Sequence, residues 1–144
     1  MNQQSVTVSL LDDDPSVLKA MNRLLRSAGW AVKAFEDPLA FLGHAAKQLF
    51  PVAVIDVCMP AMNGLEVQTH LRNLSPATRV IFLTSRDDAT VREKALAAGA
   101  FAFLLKPADD EELLAAIHSA ATRRGGAREN SAISRQDGSR ATSA

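Results

Sequence analysis

The chain has 144 residues, enough for one domain with a real core and too short for two full ones. Its 16 lysines and arginines balance 16 aspartates and glutamates, so no net basic field points to nucleic acid or an anionic membrane surface. The single cysteine, Cys58, excludes an internal disulfide; with neither a secretory leader nor an apolar run of the roughly 18 residues that a membrane helix needs, the expected location is the cytoplasm.

Val6 to Leu11 is a strand candidate that runs straight into Asp12, Asp13, Asp14 and Pro15. Asp14 is placed to cap a helix and Pro15 suits its first turn, where a missing N–H costs nothing. Val17, Leu18, Met21, Leu24, Leu25 and Ala28 then recur at helical spacing until Gly29 ends the pattern. Trp30 to Phe35 is a second strand, and Asp37-Pro38 repeats the start signal before Leu39, Phe41 and Leu42, for a helix running to about Leu49.

Val52 to Pro60 contains a short apolar, β-branched run, expected as a strand buried on both faces and ending on a lone carboxylate, Asp56. Burying an unpaired charge costs several kcal/mol even after relaxation, so that carboxylate needs either water or a cation beside it. A loop from Pro60 to Gly64 leads into a third helix marked by Leu65, Val67, Leu71 and Leu74, less cleanly patterned than the first. Arg79 to Leu83 is the fourth strand, closing on Thr84 and Ser85, and a helix with Val91, Ala95, Leu96 and Ala98 follows. Phe101 to Leu105 is the fifth strand, Lys106-Pro107 its turn, and the last helix carries Asp109, Asp110, Glu111 and Glu112 at its start, where acids favour the macrodipole. Strand and helix alternate five times, which predicts an α/β, doubly wound parallel sheet with helices on both faces. The domain is expected over 1–121. Residues 122–144 are poor in apolar residues, with five arginines against Glu129 and Asp137, and are expected to be a disordered tail or linker.

In an open parallel sheet, functional side chains collect beyond the carboxyl ends of the strands, and here those ends carry Asp12, Asp13, Asp56, Thr84 and Lys106. Two carboxylates about 4 Å apart repel by roughly 4 kcal/mol at an effective dielectric near 20, so three of them require a cation or protons. Hard oxygen donors select Mg²⁺, with Mn²⁺ as the alternative. No histidine or cysteine base falls at a strand end to activate water, and no glycine-rich loop cradles a nucleotide. In-line attack of a carboxylate on phosphorus fits this set. His44, His70 and His118 fall on different helices without ligand spacing and read as surface or packing residues, and Cys58 reads as a small apolar bystander.

Leu10 to Pro15, Asp56 to Pro60 with Asn63-Gly64, Leu83-Thr84-Ser85, and Ala98 to Ala100 through Lys106-Pro107 together resemble the receiver domain of two-component response regulators, most closely its FixJ-like group. The resemblance covers residues 6 to about 121 and implies a flavodoxin-like sheet of order 2-1-3-4-5. It implies a phosphorylation-dependent signalling switch in which Asp56 accepts a phosphoryl group from a histidine kinase or histidine phosphotransfer protein of a phosphorelay. It further implies that Asp12, Asp13, Asp56 and the Cys58 backbone carbonyl hold Mg²⁺, that Thr84 and Lys106 contact phosphoryl oxygens, and that Thr84 and Phe103 move as the switch. Phe103 lacks the hydroxyl of the tyrosine that many receivers carry there. The face made by the helix after the fourth strand, the fifth strand and the last helix would then be the part remodelled, and a homodimer could form through it. Such a domain is no enzyme beyond its own phosphorylation and dephosphorylation. Two other readings stand beside it: a phosphohydrolase with an aspartyl-phosphate intermediate, although Cys58 occupies the position where such enzymes want a second acid, and a pseudo-receiver that docks without phosphorylation. No DNA-binding module is legible after the domain, so binding of nucleic acid by this chain itself is not expected, and the output rests on docking or on an effector domain outside it.

Overall fold

The computed structural model describes residues 6–122. Ten elements alternate: β1 (Thr7–Leu11), α1 (Pro15–Ser27), β2 (Ala31–Phe35), α2 (Pro38–Lys47), β3 (Val52–Ile55), α3 (Gly64–Leu74), β4 (Arg79–Thr84), α4 (Ala89–Ala97), β5 (Ala102–Leu105) and α5 (Asp110–Thr122). The five strands form one parallel sheet, as the alternation of strand and helix patterns predicts, in the order β2-β1-β3-β4-β5 that the family resemblance implies. The strand order reverses direction between β1 and β3, so a crevice opens beyond their carboxyl ends.

Each face of the sheet carries its own core. On one side Val8, Leu10, Val52, Val54 and Ile81 meet Leu18, Met21 and Leu25 of α1 and Leu113 and Ile117 of α5. On the other, Leu11, Ala53, Ile55 and Phe82 meet Phe41 of α2, Val67 and Leu71 of α3 and Ala95 of α4. β3 is buried along its whole length, which is why its sequence is continuously apolar instead of alternating. Each fully buried Leu, Ile or Phe contributes about 1.5–3 kcal/mol through the area removed from water.

The helix starts follow from side-chain caps. Asp14 accepts from the Ser16 N–H, Asp37 from the Leu39 and Ala40 N–H groups, and Asp88 from those of Thr90 and Val91. α1 and α4 end alike: Gly29 and Gly99 adopt φ of 97° and 103°, and Trp30 N–H and Ala100 N–H reach back to the carbonyls of Leu25 and Ala95. This is the Schellman arrangement, for which glycine is favoured at the left-handed position. At the outer margin of the sheet, Asn22 Oδ1 accepts from Arg26 Nε at 2.8 Å, and Arg26 Nη2 donates to the Val32 carbonyl of β2 at 3.1 Å.

Some expectations are corrected. β3 ends at Ile55, so Asp56 is the first residue past the strand. Leu39, Leu74 and Leu96, which help mark their helices in the sequence, are exposed; those helices present too narrow a stripe to the sheet to cover every leucine. α5 extends to Thr122, and the tail expected beyond it lies outside the described residues. No helix among the described residues is long and apolar enough to cross a membrane.

Candidate functional site

The site is built by backbone before any side chain acts. Asp56 N–H donates to the Leu11 carbonyl at 2.9 Å, and Asp12 N–H to that of Phe35 at 3.1 Å; both extend the sheet's hydrogen bonding one step past the strands. Asp12 and Asp56 are thereby buried side by side, while Asp13 is exposed at the mouth. Carboxylate oxygens of Asp12, Asp13 and Asp56 lie within 4.8 Å of one another. Lys106, just after β5, donates from Nζ to Asp12 Oδ2 at 2.7 Å and stands 3.6 Å from Asp56 Oδ2.

Burial pushes the Asp56 carboxyl above its ordinary value, against the opposing pull of Lys106 and the Cys58 N–H, and the charges of Asp12 and Asp13 push in the same direction as burial. For Lys106 burial works against the charged form, but the hydrogen bond to Asp12 and the charges of Asp56 and Asp12 outweigh it and hold the ammonium above its ordinary value. The cluster thus carries more negative charge than one lysine neutralises. Three hard oxygen donors from two loops, two after β1 and one after β3, with Asp13 at the solvent edge, fit Mg²⁺, which keeps several waters and takes few protein carboxylates.

Asp56 Oδ1 accepts from the Cys58 N–H at 3.2 Å. The Cys58 thiol in turn lies 3.7 Å from Thr84 Oγ1, and Thr84, the last residue of β4, is buried. Both line a cavity of about 480 Å³ with Met59, Arg86, Asp88 and Val91. Phe103 points into the core below, its ring 6.1 Å from that of Phe82. The acids and Lys106 are therefore in direct register, Cys58 and Thr84 adjoin them, and Phe103 lies beneath.

Two features of the site were not read from the sequence. Gly64 packs where a Cβ would come within 2.7 Å of the Asp56 carbonyl oxygen and 2.8 Å of Val57 Cα. Asn63 and Glu66 form a reciprocal capping box: Glu66 N–H donates to Asn63 Oδ1 at 3.0 Å and Asn63 N–H to Glu66 Oε1 at 3.1 Å. The signal for the second, Asn followed three residues later by Glu, is present in the sequence. The first depends on how closely α3 approaches β3. The three histidines stay apart from the site: His44 stacks on Phe50 with ring centroids 5.4 Å apart, and His70 and His118 are exposed.

Residues 8–118 match the model of the response regulator receiver domain. The chain is 39% identical over 120 residues to the response regulator protein TmoT of Ectopseudomonas mendocina, covering 83% of this chain and 54% of that protein. It is 34% identical over 113 residues to the transcriptional regulatory protein FixJ of Bradyrhizobium diazoefficiens, covering 78% and 55%. It spans about half the length of these curated relatives. Among solved structures, the crystal structure of FixJ-N superposes with a TM-score of 0.77 at 33% identity, covering 83% of this chain and 95% of that one. The BeF3-activated DrrB receiver domain superposes with a TM-score of 0.75 at 31% identity, covering 82% and 98%.

Proposed function

Since the chain belongs to the response regulator receiver domain family, we propose that Asp56 is its phosphoacceptor and that phosphorylation there switches the α4-β5-α5 face. Response regulators receive phosphoryl groups from histidine kinases, and the donor here is a phosphohistidine of a kinase or phosphotransfer protein. A carboxylate oxygen of Asp56 attacks phosphorus, the O–P bond forms as the P–N bond breaks, and the departing imidazole keeps the electron pair and takes a proton. The observation that carries this reading is the cluster of buried Asp12 and Asp56 with Asp13 at its exposed edge and Lys106 against the two buried carboxylates.

Lys106 gives the incoming phosphoryl a fixed positive charge, and Thr84 offers a hydroxyl donor from the facing side of the cleft. Asp12, Asp13, Asp56 and the Cys58 carbonyl would hold Mg²⁺, which supplies the remaining charge neutralisation for the phosphoryl oxygens. Thr84 then exchanges its contact with the Cys58 thiol for one with the phosphoryl group, and Phe103, already buried against Phe82, follows as a packing change, because it has no hydroxyl to pair. The full set of acids, hydroxyl and lysine favours this reading over a docking module that works unphosphorylated.

Intact-mass measurement after incubation with acetyl phosphate and Mg²⁺ tests the assignment. The wild type is expected to gain one phosphoryl group and Asp56→Asn none. An equal gain in both overturns Asp56 as acceptor, and continuous turnover of a phosphomonoester without retained phosphate turns the reading toward a phosphohydrolase.

A further inference from the structure

α3 buries Gly64, Val67, Gln68 and Leu71. These are the positions at which a helix on a sheet places apolar side chains, yet one of them is an amide, 2% exposed. Gln68 is the reason the third helix pattern looks irregular in the sequence. A buried amide is costly unless bonded, and its Nε2 donates to the backbone carbonyl of Ala95 in α4 at 3.1 Å.

That carbonyl is no ordinary one. It is the acceptor of the Schellman turn that ends α4, already taking the Ala100 N–H at 3.0 Å. Ala95 is also the one buried residue of α4, and beside it only the partly buried Val91 of the first turn packs on that core. Its two ends are held differently. The first turn, at Asp88 and Val91, lines the same cavity as Cys58 and Thr84. The last turn lies at the other end of β4, where Phe101 N–H donates to the Val80 carbonyl. α5 shows the same plan, its Ala120 carbonyl accepting from Arg79 Nη1 at 2.9 Å.

We infer that Gln68 is a positioning residue that fastens the far end of α4 through the Ala95 carbonyl, so that movement of this helix is confined to the end beside Thr84. A side-chain donor from another helix turns a fraying C-terminus into a fixed point, and a short helix fixed at one end responds to a push at the other by tilting. The fastening stands on contacts alone. The confinement rests on the reading of Asp56 as phosphoacceptor.

Hydrogen exchange of single amides, followed by NMR on the full chain, tests both parts. Without any phosphoryl mimic, Gln68→Met keeps a similar length and an apolar surface but removes the donor; it is expected to lower the protection of the Ala98, Gly99 and Ala100 amides by about tenfold while leaving β1 and β3 unchanged. Unchanged protection at those three amides overturns the fastening. With beryllofluoride and Mg²⁺, the wild type is expected to change exchange at Thr90, Val91 and Arg92 and to keep it at Gly99 and Ala100; equal changes at both ends overturn the confinement, with no variant needed. No change anywhere on adding beryllofluoride overturns the confinement together with the acceptor reading, and leaves the comparison of wild type with Gln68→Met to decide the fastening by itself.

Discussion

At the scale of single residues, Lys106 decides whether the acidic cluster can stay assembled. Its ammonium contacts Asp12 at 2.7 Å and faces Asp56 at 3.6 Å, so replacing it leaves two buried carboxylates with no fixed cation. Lys106→Met is expected to destabilise the fold by about 1–3 kcal/mol in the presence of a chelator, and added Mg²⁺ is expected to restore more stability to this variant than to the wild type; thermal melts with and without the ion check it. His44 contributes a pH dependence near neutrality. Burial, and secondarily the charge of Lys33, hold its imidazole below the ordinary value of 6.5, so the unfolded chain binds that proton more tightly. Its contribution is intact above about pH 6.5 and is lost as the pH falls below it. An NMR titration should find His44 protonating below the ordinary value of 6.5, and His44→Phe should flatten the fall in stability between neutral and mildly acidic pH. The acids, Thr84 and Lys106 were legible because each directly follows an apolar run. The partner of Lys106 was not, since only the folded register shows that Asp12 lies nearer than Asp56.

At the scale of elements, the start of α3 and the end of β3 form one joint. The Asn63 to Glu66 capping box sets where the helix begins, and Gly64 lets it begin against the Asp56 backbone, its own N–H donating to the Val57 carbonyl at 2.8 Å. Gly64→Ala pushes a methyl group toward the Asp56 carbonyl oxygen and Val57 Cα, neither of which can swing aside. It is expected to cost about 1–3 kcal/mol, read by denaturant unfolding, and to slow phosphorylation by displacing Asp56. Caps at Asp14 and Asp37 could be read because aspartate before proline is a local signal. The exposed Leu39, Leu74 and Leu96 could not, because residue type alone does not say how wide a stripe the sheet will cover. Gln68 shows the converse: a polar residue in the buried stripe makes the helix look weak until its partner on α4 is known.

At the scale of the whole molecule, the sheet separates two cores that meet different helices, α1 and α5 on one side and α2, α3 and α4 on the other. The proposed switch therefore spans both: Phe103 packs with the α3 and α4 core, while α5 belongs to the opposite one. Leu96 of α4 and Leu105 of β5 are exposed on the face proposed to change, and self-association is expected to follow phosphorylation there. Sedimentation velocity with and without beryllofluoride should show a larger species only with it, and Leu96→Glu should abolish that species. The parallel α/β plan was legible because five apolar runs alternate with helix patterns, while the strand order came from the resemblance of the strand-end motifs.

The pairing of Asn22 with Arg26 has a consequence for any assembly. A parallel sheet with a bare rim invites a foreign strand to zip onto it, and such recruitment is how stacked aggregates propagate. On the β2 rim a guanidinium is seated on the Val32 oxygen, one of the acceptors that an arriving peptide would have to claim. Copies of this chain meet that obstacle along one flank, so an ordered complex is steered to form on the other.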